Sequence, residues 1–144
     1  MLESTQQRIA EFPDVCHRAG LKVTPQRSTI FAMLASTDIH PTPEEVYSEI
    51  RKSAPSISLA TVYKILDLFH DVGFIRRVST KGHVARYDAN IEPHHHLICT
   101  GCGGIRDIGF EQNVSPQAVL SESDGFRVSN YEIQFHGLCR DCQG

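Results

Sequence analysis

Two short spacings near the end of the chain, Cys99-x2-Cys102 and Cys139-x2-Cys142, restrict the fold more than any other feature. Two such pairs can supply four thiolates to a tetrahedral zinc. The 36 residues between them exceed the roughly 15 to 20 of a small zinc module. The pairs therefore belong to separate elements, one near each end of this part of the chain. Two chance pairs, a redox disulfide pair and an iron–sulfur cluster are the alternatives. A thioredoxin-like pair needs its motif between a strand and a helix of a βαβ unit, a pattern missing here. The segment from 91 to 144, about 54 residues, buries little core by itself, and a metal staple offsets that shortage. The fifth cysteine, Cys16, reads as a small core residue on the first helix rather than as a nucleophile.

With 144 residues and 40% hydrophobic content, the chain is one ordinary domain or two small ones with a folded core. It has no run of 18 or more apolar residues, and "MLESTQQRIAEF" lacks the regions of a signal peptide. The expectation is a cytoplasmic protein without a membrane span, in a compartment where close cysteines hold metal. The net charge of -3 argues against coating nucleic acid by bulk charge, but the charge is unevenly placed. Residues 1 to 90 carry 11 Lys/Arg against 10 Asp/Glu, and residues 91 to 144 carry 3 against 7. Arg76, Arg77, Lys81 and Arg86 form a basic stretch with no acid between positions 72 and 87, and Arg18, Lys22 and Arg27 form another.

Residues 1 to 90 read mainly as helices with one hairpin, and residues 91 to 144 as strands around one helix, an α+β chain. In "TPEEVYSEIRK", Thr42 can cap a helix, Pro43 suits its first turn, and Val46, Tyr47 and Ile50 supply an apolar stripe. In "SLATVYKILDLFHDVGFI", Ser58 is the cap, Val62, Ile65, Leu66, Phe69 and Val72 recur at helical spacing, and Gly73 is the stop. "FIRRVSTKGHVARYDA" then shows two strand-like runs around Lys81-Gly82. Two helices followed by a basic hairpin describe a winged helix-turn-helix, whose second helix enters the major groove. A linker at about Asn90–Pro93 separates this part from "HLICTGCGGIRDIGF" and "FRVSNYEIQFHGL", which alternate as strands. "SPQAVLSES" lies between them as a helix capped by Ser115.

Three of the 8 histidines are consecutive, His94, His95 and His96. In an extended segment His94 and His96 share a face and His95 points away. Asp88 and Asp107 are the nearby oxygens that can join them, and His40 sits in a loop placed to reach the junction of the two parts. Imidazoles and carboxylates without thiolate suit Fe(II) or Mn(II) as well as Zn(II). The plain alternative is a solvated histidine run. His17, His70 and His83 have no cluster around them and read as surface residues.

Six stretches, "LKVTPQR", "HPTPEEVY", "SLATVYKILDLF", "ARYDA", "HHHLICTGCGGIRDI" and "GLCRDC", agree in order and spacing with the ferric uptake regulator family over about residues 20 to 142. The chain resembles this family of bacterial metal-dependent repressors. The resemblance implies a homodimer with a winged-helix DNA-binding domain at 1–90 and an α/β dimerisation and metal-binding domain at 91–144. It also implies a structural zinc at Cys99, Cys102, Cys139 and Cys142, and a regulatory metal at the junction. The family's peroxide-sensing branch uses three histidines and two aspartates, matched here by His40, Asp88, His94, His96 and Asp107. Iron-uptake regulators commonly carry glutamates at the positions of Asp88 and Asp107. Tyr131 stands where many relatives have a histidine of a further metal site, which puts that site in doubt.

The resemblance implies a regulatory Fe2+ or Mn2+ that holds the two domains in one orientation, so that two recognition helices meet successive major grooves of an AT-rich palindrome. Moving such an equilibrium from mostly inactive to mostly active takes roughly 5 kcal/mol. Tyr63 and Lys64, with Thr61 nearby, are candidates for base and groove contacts, and Arg77, Lys81 and Lys22 for phosphates. A half-buried core aromatic is the alternative for Tyr63, and a solvated hairpin face for the arginines. With iron, peroxide would oxidise His40 or His94 and release the repressor. A repressor that responds to iron by metal loss, and a hydrolytic metalloenzyme built on the His/Asp cluster, are the competing functions. The enzyme would need an open coordination position and a general base, and no further acid suggests one.

Overall fold

The structure, a computed structural model, describes residues 2–79, 82–91, 94–108, 125 and 132–144. The chain divides into two compact units, Met1–Ile91 and Glu92–Gly144. The helix expected at Ser115 to Ser123, the expected strand residues 126–131 and Lys81 lie outside the described residues.

The first unit runs α1 (Leu2–Arg18), α2 (Pro25–Ala35), α3 (Pro43–Ile50), α4 (Leu59–Asp71), β1 (Arg76–Val78) and β2 (Arg86–Asp88). Local signals start and stop these helices. The Thr24, Thr42 and Ser58 side chains accept the backbone N–H groups of Arg27, Glu45 and Thr61. At α3 the Glu45 carboxylate also accepts the Thr42 N–H, a reciprocal capping box. Helix α4 ends at Gly73 (φ +82°), where the Phe74 N–H reaches back to the Phe69 carbonyl at 2.8 Å. That closure needs a left-handed residue, which glycine adopts without strain. It also turns the Phe74 ring onto Phe69, with centroids 5.8 Å apart.

The apolar faces of the four helices close on one core. Phe12 of α1 stacks on Phe31 of α2 at 4.5 Å, and Phe69 of α4 meets both edge-on. Ile30, Val46, Val62 and Leu66 are fully buried around them, and Cys16 packs there as the sequence suggests. Burial pushes the Cys16 thiol above its ordinary pKa, which leaves it unreactive. Strands β1 and β2 pair antiparallel, Arg77 opposite Tyr87, and form the hairpin that follows α4.

The second unit contains β3 (His95–Cys99), β4 (Ile105–Ile108), β5 (Gln134–Gly137) and a short 3-10 helix, Arg140–Gln143. β3 is central, antiparallel to β4 and parallel to β5. Among the described residues of this unit the buried apolar side chains are Ile98, Cys99 and Ile105, beside buried His94, His95 and His96. Among the described residues of this unit, buried polar side chains stand beside few apolar ones, so side-chain chemistry contributes to their cohesion.

Gly73→Ala places a methyl group at a φ of +82°. We expect a loss of about 1–2 kcal/mol, read by thermal denaturation, with Gly73→Asn losing less.

Candidate metal centres and nucleic-acid face

The thiol cluster follows from strand topology. Because β3 and β5 are parallel neighbours, with Cys99 opposite Gly137, their C-terminal ends lie side by side. Cys99 closes β3 and Cys102 lies in the turn to β4. Cys139 follows β5, and Cys142 lies in the 3-10 turn. The 36-residue gap is thus spanned by adjacent strand ends. The four sulfurs lie within 4.8 Å of one another, and all are free thiols. The Cys102 and Cys139 sulfurs are 3.9 Å apart, close to the ~3.8 Å edge of a tetrahedron with zinc–sulfur bonds of about 2.3 Å. This donor set fits zinc.

Backbone donors prepare the sulfurs. The Cys139 N–H points at Cys99 Sγ (3.3 Å) and the Gly104 N–H at Cys102 Sγ (3.4 Å). The Cys139 N–H, followed by further donors around Cys102, holds the Cys99 pKa down at about 6. Cys142 is pushed up to about 12 because its thiol hydrogen-bonds to Cys139 and Cys99. Close packing requires Gly101, where a Cβ would lie 3.0 Å from Cys142 Sγ.

The histidine cluster follows from register. In β3 and β4, His96 lies directly opposite Asp107, so their side chains share a face, and His94 joins it two residues earlier. Asp107 Oδ1 lies 3.1 Å from His94 Nε2 and 3.5 Å from His96 Nε2. The two rings meet edge-on at 4.5 Å. Ligands about 3 Å apart form an edge of a coordination shell with bonds near 2.1 Å, so these three residues fit a divalent cation. His95 takes the opposite face, where its Nδ1 accepts the Ile133 N–H at 3.1 Å.

The first unit holds a second polar pair. The Tyr87 N–H donates to the Pro41 carbonyl (3.0 Å), and Arg86 Nη1 donates to the His40 carbonyl (2.9 Å). These bonds fix the His40 loop against β2. His40 Nε2 then lies 3.4 Å from Asp88 Oδ2, both side chains buried. The other Asp88 oxygen accepts the Asn90 N–H at 2.8 Å.

On α4, Tyr63 and Lys64 are exposed and Thr61 is half-buried, its hydroxyl 2.9 Å from that of Ser58. Tyr63 is therefore not a core aromatic. Its hydroxyl donates to Glu44 Oε1 at 2.5 Å, a bond that raises its pKa. Lys22 is exposed on the loop before α2. Arg77 is engaged within the unit: Nη2 pairs with Asp67 Oδ1 at 2.6 Å and Nε donates to the Tyr87 hydroxyl at 3.2 Å. Of the isolated histidines, His17 is exposed, but His70 and His83 are half-buried. His70 Nδ1 is shielded with no hydrogen-bond partner among the described residues, so His70 is not a surface residue in the sense expected.

Sequence reasoning gave no such contacts to Glu44, read as a helix-end acid, or Arg86, read as part of the basic stretch, and it missed Glu132. Glu132 Oε1 lies 2.7 Å from His96 Nδ1. No motif singles it out, since only the parallel pairing of β5 with β3 brings it to His96.

A helical unit ending in a hairpin, followed by a strand unit with thiol and imidazole ligand sets, fits the class of metal-responsive transcriptional regulators. The family model described as "Ferric uptake regulator family" matches residues 18–136. The chain belongs to the ferric uptake regulator family. It is 32% identical over 142 residues to the peroxide-responsive repressor PerR of Staphylococcus aureus, covering 99% of this chain and 96% of that one. The Helicobacter pylori ferric uptake regulator Fur, whose structure is described as revealing three functional metal-binding sites, superposes with a TM-score of 0.78. It is 26% identical, over 100% of this chain and 95% of that one. The Campylobacter jejuni peroxide stress regulator superposes with a TM-score of 0.70 at 34% identity, over 92% and 99%. No described helix is long and apolar enough to cross a membrane.

Cys142→Ser is expected to lose the tightly held zinc that the parent chain retains, read by metal analysis after gel filtration. With Cys142 at about 12, its thiol is protonated at neutral pH, so zinc uptake expels that proton and zinc affinity falls as pH falls. Proton release in weak buffer and competition at about pH 6 and pH 8 check the sign; equal affinities would contradict it.

Proposed function

We propose that this protein is a cytoplasmic, homodimeric repressor of an AT-rich palindromic operator, that it requires Fe2+ or Mn2+ to bind DNA, and that it senses peroxide through iron. The observation that carries the reading is a pair of ligand sets, each short of donors among the described residues. His40 and Asp88 in the first unit offer one imidazole and one carboxylate. His94, His96 and Asp107 in the second offer two imidazoles and one carboxylate. Neither set saturates a transition-metal ion, whereas together they make a five-donor site without thiolate, suited to iron or manganese. One ion held by both sets couples the two units, so metal binding selects one arrangement of the paired recognition helices.

Tyr63, Lys64 and Thr61 meet bases and groove, and Lys22, Lys81 and Arg77 meet phosphates. The exposed cross-strand neighbours Leu97 and Phe135, with Leu138 beyond them, support a self-associating face on the second unit. The structural zinc is held by Cys99, Cys102, Cys139 and Cys142.

Iron, when bound, would activate peroxide; the ring of His40 or His94 would supply the two electrons, its C–H becoming C–OH with one peroxide oxygen while the other leaves as water. The altered ring is a poorer ligand, and the two units uncouple. The likeness to peroxide-responsive relatives at 32% and 34% identity and the choice of aspartate at positions 88 and 107 support peroxide as the signal.

An operator is selected from random duplex DNA with the manganese-loaded protein. Iron-loaded protein treated with peroxide is expected to release that duplex and to gain one oxygen atom on a peptide containing His40 or His94; manganese-loaded protein does neither. Release on chelation alone, with unchanged peptide masses after peroxide, contradicts peroxide sensing and leaves an iron-responsive repressor. Asp107→Ala and His96→Ala are each expected to weaken metal-dependent operator binding by 10-fold or more, read by fluorescence anisotropy, with the zinc retained.

A further inference from the structure

The His96 ring has two ends, and the second meets a group outside the five donors. Its Nε2 faces Asp107, while its Nδ1 lies 2.7 Å from Glu132 Oε1. A carboxylate only accepts, so this bond requires the proton of the neutral ring on Nδ1 and leaves the Nε2 lone pair toward Asp107 and His94.

Glu132 does not reach His96 by chance of a flexible side chain. The His96 N–H donates to the Ile133 carbonyl at 3.1 Å, and the Ile133 N–H donates to His95 Nδ1 at 3.1 Å. Backbone and side-chain bonds thus hold residue 133 between two consecutive histidines, with Glu132 at its flank. Gln134 lies opposite His96 in the parallel register, and its amide donates to the same Glu132 oxygen at 3.1 Å. One carboxylate oxygen is therefore held from two directions.

We propose that Glu132 is a positioning residue for the regulatory metal: through Nδ1 it fixes the orientation and tautomer of His96 and raises the ring's basicity toward the ion. The inference rests on the reading that His94, His96 and Asp107 hold that ion. Histidine ligands backed by a carboxylate are held in this way, and removing such a partner typically costs 10–100-fold in metal affinity. The Glu132 side chain is about one-third exposed, so its part is to orient the ring rather than to add much stability.

Two measurements on the full-length, zinc-loaded chain test this. Mn2+ alone is titrated into the parent, Glu132→Gln, Glu132→Leu and His96→Ala, with free manganese read by electron paramagnetic resonance. Glu132→Leu is expected to bind Mn2+ at least 10-fold more weakly. Glu132→Gln, whose amide oxygen can still accept from Nδ1 without the charge, falls between it and the parent. Long-range proton–nitrogen spectra of the manganese-free chain are expected to show His96 protonated at Nδ1 in the parent and shifted toward Nε2 in Glu132→Leu. Unchanged zinc content and amide spectra away from residues 94–98 show that the variants fold. If Glu132→Leu matches the parent in affinity while His96→Ala has lost binding, the positioning role is wrong and the metal site stands. If His96→Ala also binds as the parent does, the site reading fails and the positioning role falls with it.

Discussion

The pairing of β3 with its two neighbours is the constraint on which the second unit depends. Five residues, His95 to Cys99, carry an imidazole ligand near one end and a thiolate ligand at the other. The antiparallel partner β4 supplies Asp107 and its turn supplies Cys102. The parallel partner β5 leads from Glu132 at one end to Cys139 at the other. A slip of one residue in the β3–β4 pairing would part Asp107 from His94 and His96, and one in the β3–β5 pairing would part Cys99 from Cys139 and Cys142. The four-sulfur cluster pins the open ends of β3 and β5, where the Thr100 N–H meets the Gly137 carbonyl at 2.8 Å. Such a clamp serves the histidine site too, because imidazoles hold their spacing only if the strands hold theirs.

Much of this was legible in the sequence, for identifiable reasons. Helix limits at Thr42, Ser58 and Gly73 are written in local chemistry, a capping hydroxyl or a left-handed glycine, and the structure uses each as expected. The cysteine pairs announced themselves because thiols are few, and the alternation of His94 and His96 followed from strand geometry alone. Register between distant strands was not legible. Glu132 lies 36 residues beyond His96, and nothing in "YEIQF" tells which face or which neighbour it meets. The same holds for Arg77: a basic hairpin is visible in the sequence, but the ion pair with Asp67 and the stacking over Tyr87 arise only when α4 and the hairpin fold together. His70 was misjudged for a related reason, since a polar residue near a helix end is shielded or open according to what packs beside it.

The two units use polar groups differently. In the first, an apolar core of stacked phenylalanines and aliphatic residues carries stability, and buried His40 and Asp88 are an exception at its margin, held there by Arg86 and the Pro41 carbonyl. In the second, buried histidines outnumber the buried aliphatic side chains among the described residues. Burying imidazole is costly unless its nitrogens are engaged; the Ile133 N–H meets His95 Nδ1, Glu132 meets His96 Nδ1, and Asp107 lies beside His94 Nε2 and His96 Nε2. Among the described residues, the contacts that bury the second unit's histidines also set their ligand geometry, while the first unit keeps its apolar core apart from His40 and Asp88.

Amide hydrogen exchange of β3 and β5, followed in the zinc-loaded chain and after zinc removal under reducing conditions, tests most directly whether the sulfur clamp holds the strand register. Protection at His96 and Thr100, whose N–H groups bond to Ile133 and Gly137, is expected to collapse on zinc removal, while α1 to α4 keep theirs. Equal protection of these two amides with and without zinc would contradict the account.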